Sequence, residues 1–216
     1  MSALVWFRND LRINDNQVVF EALKNNKHVY FFYCFDKRQF TKTSYGFPKT
    51  GKFRTNFLIE TVIDLKENLK KLGSDLIIKF GLPEEKINYL SGKYDIKEIY
   101  FQGAVTQEEI NLEELIEKTI IDKNITLKKY FSNTLYSLED LPFEPQVMPD
   151  IFTNFRQKVE RFSKINEIYQ TPEKIEKVEI DINDLDLEKI PELKLFVSEI
   201  RNQEIKISSV FKGGET

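Results

Sequence analysis

Arg8, Asp10 and Arg12 place two cations and a carboxylate directly after the apolar run Leu4, Val5, Trp6 and Phe7. In open α/β sheets, ligands and partners dock just beyond the carboxyl end of such strands. Two readings of the cluster stay open. One is an ion-paired loop that fixes the first crossover, since structural ion pairs are common. The other is a surface for a ligand or a second domain. Residues 36–52 form a second collection, with five lysines and arginines and three aromatic residues in one long loop. Loops of that length inside a compact domain usually carry function. The mixture suits a flat anionic ligand, through ring stacking and ion pairing. It equally suits a surface loop with snorkelling lysines.

Other chemistries find little support. His28 and Cys34 are the only histidine and cysteine. No zinc site and no internal disulfide are therefore expected. His28 stands at the entrance to a strand and reads as structural or solvent-facing. The strand-to-helix turns carry no Gly-x-Gly-x-x-Gly fingerprint, no Walker A loop and no nucleophile elbow. Formal net charge is −3. Nucleic-acid binding normally rests on a basic excess, so any DNA contact must come from a local patch or another polypeptide. There is no leader peptide pattern and no apolar run long enough for a bilayer. With the single cysteine, this predicts a cytoplasmic protein that does not contact membrane.

The elements that must position these residues alternate regularly. Leu4–Phe7 reads as a strand buried on both faces. Asp15 or Asn16 then caps a short helix carrying Val18, Val19, Ala22 and Leu23. Val29 to Phe35 is a second strand. Residues 53–72 form a strong helix, with Leu58, Val62, Leu65, Leu69 and Leu72 on one face and Phe53, Phe57 and Thr61 widening it. Gly73 ends that helix. Strands follow at 76–80, 98–101 and 125–130. Pro83 starts an intervening helix, and Thr106 with Glu109 has capping-box spacing for another. That helix is expected to bury Leu112, Leu115, Ile116, Thr119 and Ile120. The pattern predicts a doubly wound, five-stranded parallel α/β sheet with right-handed crossovers. Past Tyr130, Pro142, Pro145 and Pro149 bring turns, then a short helix with Ile151, Phe152, Phe155 and Val159. From Ser163 the chain turns Glu-, Lys-, Asp- and Ile-rich without a period. It reads as an extended linker over the domain surface, disordered where nothing holds it.

Several stretches together resemble the photolyase/cryptochrome family. Trp6-Phe-Arg-Asn-Asp-Leu-Arg12 with Asp15-Asn16 is similar to the family's opening. Cys34-Phe-Asp-Lys-Arg-Gln-Phe40, Gly46-Phe-Pro-Lys-Thr-Gly51, Thr134-Leu-Tyr136, Asp140-Leu-Pro-Phe143 and Pro149-Asp-Ile-Phe-Thr153 resemble its DASH branch. The resemblance implies a Rossmann-like domain at residues 1–131, a domain-edge loop and short helix at 132–162, and a linker at 163–216. That linker leads toward a helical FAD domain, the expected partner of this chain. The family is implied to be light-driven, with FAD as cofactor and pyrimidine dimers in DNA as substrate. Flavin, DNA and electron-relay sites are expected in the helical domain, so no catalytic residue is assigned here and no repair by this chain alone is expected.

The same resemblance implies an antenna pigment, often methenyltetrahydrofolate. Its candidate residues are Phe35, Asp36, Arg38 and Phe40, with Gln102, Gly103 and Thr106. Arg8, Asp10 and Arg12 become candidates for the domain interface. Where the family usually has glutamate before Val105-Thr106, this chain has Ala104. A neutral Gln102 replaces a carboxylate only in part, so folate binding is expected to be weak or absent. The alternative to a piece of a photoactive flavoprotein is a stand-alone α/β module that binds a nucleotide or protein without catalysis.

Overall fold

The computed structural model describes residues 2–136, 138–185 and 212–215. Five strands form one wholly parallel sheet: β1 (Ser2–Phe7), β2 (His28–Asp36), β3 (Leu76–Gly81), β4 (Ile96–Gln102) and β5 (Thr126–Tyr130). Their spatial order is β3-β2-β1-β4-β5. The order reverses between β1 and β4, which makes the carboxyl ends of those strands the topological switch point. Four helices cross over between strands: α1 (Gln17–Asn25), α2 (Lys52–Lys71), α3 (Pro83–Lys93) and α4 (Gln107–Ile120). Then come α5 (Phe152–Phe162) and the single turn α6 (Ile182–Leu185).

The unalternated apolar runs of β1 and β2 follow from two packed layers. Ala3, Val5, Phe7, Val29, Phe31 and Phe35 face α1 and α2, where Val18, Ala22, Val62, Leu65 and Leu69 cover them. Leu4, Trp6, Phe32 and Cys34 face the other layer, under Ile87 and Leu90 of α3 and Ile116 and Ile120 of α4. A strand covered on both sides has no polar face to show. The caps are local chemistry. The Asn16 side chain accepts from Val19 N at 3.1 Å, satisfying one orphan donor of α1. Gly73, at φ +94°, carries the chain out of α2, and Ser74 N reaches back to Leu69 O at 3.0 Å.

Two helix faces depart from their sequence reading. On α2, Phe53 and Phe57 are 62% and 49% exposed, so the apolar stripe outruns the sheet it covers. On α4, Leu115 is 39% exposed, whereas Glu113 is buried. Leu112, Ile116 and Ile120 face inward as their spacing predicts, but Glu113, paired with Arg8, takes the other edge of the buried face and Leu115 falls outside it. Thr106 does precede α4, but its hydroxyl donates to the Glu109 carboxylate at 2.8 Å rather than closing the reciprocal box.

The tail folds back over the domain up to residue 185. Tyr169 N donates to Asp15, and the Tyr169 ring lies 5.4 Å from Phe20. Ile175 N donates to Leu72 O, and its side chain joins the α1/α2 core. Ile180 packs on the opposite core. Asp184, 2% exposed, sits over the edge strand β3. A short piece at 212–215 returns to α2, where Gly213 N reaches Glu60 and Glu215 N reaches Asp64. The intervening part of the expected linker, 186–211, lies outside the described residues.

Candidate functional site

A cleft of about 760 Å³ opens beyond the carboxyl ends of β1 and β2 and reaches the start of α4. Its floor includes Trp6, Phe7 and Tyr33. Arg12, Phe40, Arg54, Phe57 and Thr106 are among its walls. Glu215 stands on the rim, its carboxylate accepting from Ile13 N at 3.0 Å and Asn14 N at 2.7 Å. This is the crevice that a doubly wound sheet offers to ligands, and its volume suits a cofactor-sized molecule.

Arg8, at the end of β1, points across the switch point. Its guanidinium pairs with buried Glu113 of α4 and donates to Gln102 O at 3.0 Å. It lies 4.8 Å over the Trp6 ring. Glu113 also takes Lys129 Nζ at 2.6 Å and Ala104 N at 3.2 Å. The Arg8 charge is thus consumed in tying β1, β4, β5 and α4 together. Asp10 is also buried, accepting from Arg8 N at 3.0 Å and more weakly from Asn16 at 3.3 Å. Burial pushes its carboxyl above the ordinary range, against the pull of the Arg8 N–H and Asn16 and the charge of Arg12. Arg12 spends its donors on the Asn14 and Asp15 carbonyls. Arg8 is therefore ion-paired to Glu113 and not to Asp10, which is held by hydrogen bonds, while Arg8 and Arg12 also line the cleft.

Because its folded pKa is raised, the Asp10 contribution to stability is full below the unfolded carboxylate range and fades as pH rises through the folded value. Asp10→Asn removes that titration. Urea unfolding of the variant is expected to flatten the loss of stability as pH rises above the ordinary carboxylate range. An unchanged slope would show that Asp10 is ionised at no cost.

The seven pigment candidates separate. Asp36, Phe40 and Thr106 line the cleft. Phe35 is core, edge-on to Tyr33. Arg38 is closed on its own anions, with Asp36 at 2.7 Å and Glu84 at 3.0 Å. Gln102, the last residue of β4, and Gly103 in the turn after it are both buried. There Gln102 donates to Ser132 at 3.1 Å and Gly103 N to Tyr130 O at 2.7 Å. A pterin amino group is a donor and is held by hydrogen-bond acceptors. Ala104 offers a methyl group, and the nearby Glu113 is already taken by Arg8 and Lys129. The turn itself therefore offers no free carboxylate to such a donor.

Sequence reasoning missed Tyr33, Gln39, Arg54 and Phe57 as cleft residues. Tyr33 lies inside a strand that looks uniformly apolar. Arg54 had a usable signal: α2 starts without a side-chain cap or any acid in its first turn, which leaves its positive end for an anion. Cys34 also lines the cleft, but burial pushes its thiol far up, so it is not a reactive thiolate. Among the described residues no group of histidine, cysteine and carboxylates could hold a metal, and no helix is long and apolar enough to cross a membrane.

The family model for DNA photolyase matches residues 3–176. Cryptochrome DASH of Gloeobacter violaceus is 39% identical over 215 residues, covering all of this chain and 42% of that protein. Cryptochrome DASH of Synechocystis is 43% identical over 160 residues, or 74% of this chain and 33% of that protein. Among solved structures, a Synechocystis cryptochrome superposes with a TM-score of 0.80 at 38% identity, over 89% of this chain and 40% of its own. An archaeal photolyase from Sulfolobus tokodaii, described with two FAD molecules, shares the fold at a TM-score of 0.77 and 24% identity. The chain thus spans about two fifths or less of the length of the relatives it matches. On the match of residues 3–176, this chain belongs to the DNA photolyase family and has the fold of its N-terminal α/β domain.

Proposed function

We propose that this chain is the antenna and scaffold domain of a DASH-type cryptochrome or photolyase. The parent would be a light-driven flavoprotein that splits pyrimidine dimers in DNA, with FAD held by a helical domain beyond these residues. The single observation that carries this reading is the 39% identity, end to end, to a cryptochrome DASH more than twice as long. The exposed Phe53 and Phe57 on the first turns of α2 support it, since apolar surface of this kind suits domain docking. Arg12 and the Glu215 clamp at the rim would belong to that docking surface, with Arg8 and Asp10 holding the loop behind it. Among the described residues the tail covers the β3 edge and leaves these phenylalanines open, which favours this reading over a stand-alone module.

Within the parent, the cleft is the place for an antenna pigment, with Phe40 and Phe57 as stacking partners and Arg54 for an acidic group. FAD and DNA would meet the helical domain, and a cytoplasmic setting rests on the sparing use of cysteine. Titration of methenyltetrahydrofolate into the purified chain is expected to show no saturable binding in the low micromolar range. Tight, saturable binding would overturn the argument from Ala104 and Glu113.

The experiment that tests the function is expression of the full reading frame beside the 216-residue chain. The longer protein is expected to carry FAD and to restore dimer-containing single-stranded DNA under blue light. The shorter chain is expected to carry no flavin. A flavin-loaded longer protein without repair of single- or double-stranded DNA would remove the lyase from this reading.

A further inference from the structure

Residues 41–49, between β2 and α2, form a small hairpin. Lys42 and Pro48 make an antiparallel bridge, Thr43 N donates to Phe47 O at 2.8 Å, and Lys49 N to Thr41 O at 2.9 Å. Gly46, at φ +86°, allows the tight turn at its tip. These bonds hold the hairpin as one unit, yet it buries none of its side chains in the domain. Its foot is firm. Thr50 is buried, and Gly51 O accepts from both the backbone N and the hydroxyl of Thr55, each at 3.0 Å. A self-bonded hairpin on a fixed foot, with little packing beneath it, swings at low cost.

Lys49 ties it across the cleft. The Lys49 ammonium reaches the Glu108 carboxylate at 2.5 Å, and both residues line the cleft. Lys49 belongs to the loop after β2 and Glu108 to the helix after β4. Strand β1 lies between those two strands, so the pair spans the crevice at the switch point. Among the described residues it is the one ion pair that the hairpin makes. The far post is fixed. Glu109, beside Glu108, accepts from Asn9 at 2.9 Å and from the Thr106 hydroxyl at 2.8 Å, and Ile116 and Ile120 anchor α4 in the core. Both carboxylates stand in the first turn of α4, where the helix dipole favours negative charge.

The strength of the pair suits a latch rather than a brace. The Glu108 side chain is 69% exposed and the Lys49 side chain 32%. A pair this wet biases an open–closed equilibrium by no more than about fivefold. Lids that admit ligands are drawn from such weakly held segments. We propose that the 41–49 hairpin is a lid on the cleft, latched shut by Lys49 on Glu108 and opened when that pair parts. The lid goes beyond the antenna reading, because access to the cleft is a property of this chain whatever molecule enters it.

The chain carries its own probe. Trp6 is its one tryptophan, and it is 3% exposed on the cleft floor. The test is acrylamide quenching of Trp6 fluorescence in the 216-residue chain, the quencher being neutral so that it reports access rather than charge. Glu108→Gln and Lys49→Gln are each expected to raise the quenching constant by about two- to fivefold. The double variant is expected to match either single one, because both remove the same pair. Raising salt from about 0.05 M to about 1 M should raise quenching in the parent chain and leave Glu108→Gln unchanged. The thermal midpoint of each variant should move by less than about 2 °C, since the core does not rest on an exposed pair. Unchanged quenching in both single variants would overturn the proposal. So would a rise accompanied by a larger fall in the midpoint, which would make the pair a brace for the domain. A salt-driven rise of equal size in parent and variant would overturn it too, by assigning the opening to other charges.

Discussion

Replacing Arg8 with methionine is expected to lower the free energy of unfolding by about 3 kcal/mol, the cost of stranding one partner of a buried ion pair. Both side chains of the pair are buried, at 7% and 8% exposure. Methionine fills much of the arginine stem's volume, so little of the loss would come from an empty cavity. What remains is Glu113, an anion now neutralised by Lys129 alone, and a Gln102 carbonyl without its donor. Lys129 keeps the loss from the upper end of the range, because its side chain is part-exposed and stays bonded at 2.6 Å. The expectation has a second half. Adding Glu113→Leu to Arg8→Met is expected to recover more than half of the loss, since replacing a whole buried pair by apolar groups is often neutral. The Ala104 N–H, left without Glu113, limits the recovery. Urea denaturation of the single and double variants reads both halves. A single variant that loses less than about 1 kcal/mol would place the pair among surface ion pairs.

That pair also shows where sequence reasoning stops. The layers were legible because their cause is local: Leu4 to Phe7 reads as doubly buried because nothing polar interrupts it, and Asn16 precedes the helix it caps. Glu113 was not legible. On its own helix it looks like one acid among several, and the reason it is buried is Arg8, 105 residues earlier. Leu115 lies at the far edge of the stripe, and with Glu113 occupying the opposite edge of the buried face it is left 39% exposed. Phe53 and Phe57 read as core through their spacing, but periodicity describes a face without saying how far the sheet beneath it extends. In the candidate site, Asp36, Phe40 and Thr106 were reached through the loops that carry them. Tyr33 and Arg54 needed the fold, since a strand's alternation and a helix's rotation decide which side chains turn toward a cleft.

The tail carries the last expectation. Its apolar contacts, Ile175 on one core and Ile180 on the other, have no period because the segment crosses an edge rather than lying on a face. Its lock is Asp184. The carboxylate takes Lys79 of β3, Lys93 of α3 at 2.8 Å and the Tyr94 hydroxyl at 2.6 Å. Burial raises the Asp184 pKa, but the hydrogen bonds from Lys79, Lys93 and Tyr94 outweigh it and hold the carboxyl below its ordinary value. A depressed folded pKa gives stability that is full above the unfolded carboxylate range and is lost as pH falls through the folded value. The tail is therefore expected to loosen in acid, opposite in sign to the titration of Asp10. Asp184→Ala is expected to bring the loosening to neutral pH, at a cost of about 2 kcal/mol for lost charge-assisted hydrogen bonds. Because the segment crosses the β3 edge, its release uncovers strand hydrogen-bonding groups. Hydrogen exchange is expected to rise at residues 175–184 and along β3, while β1 and β4 stay protected. Uniform exchange across all five strands would show that Asp184 stabilises the whole domain. No change at 175–184 would leave the apolar contacts of Ile175 and Ile180 as the real anchor.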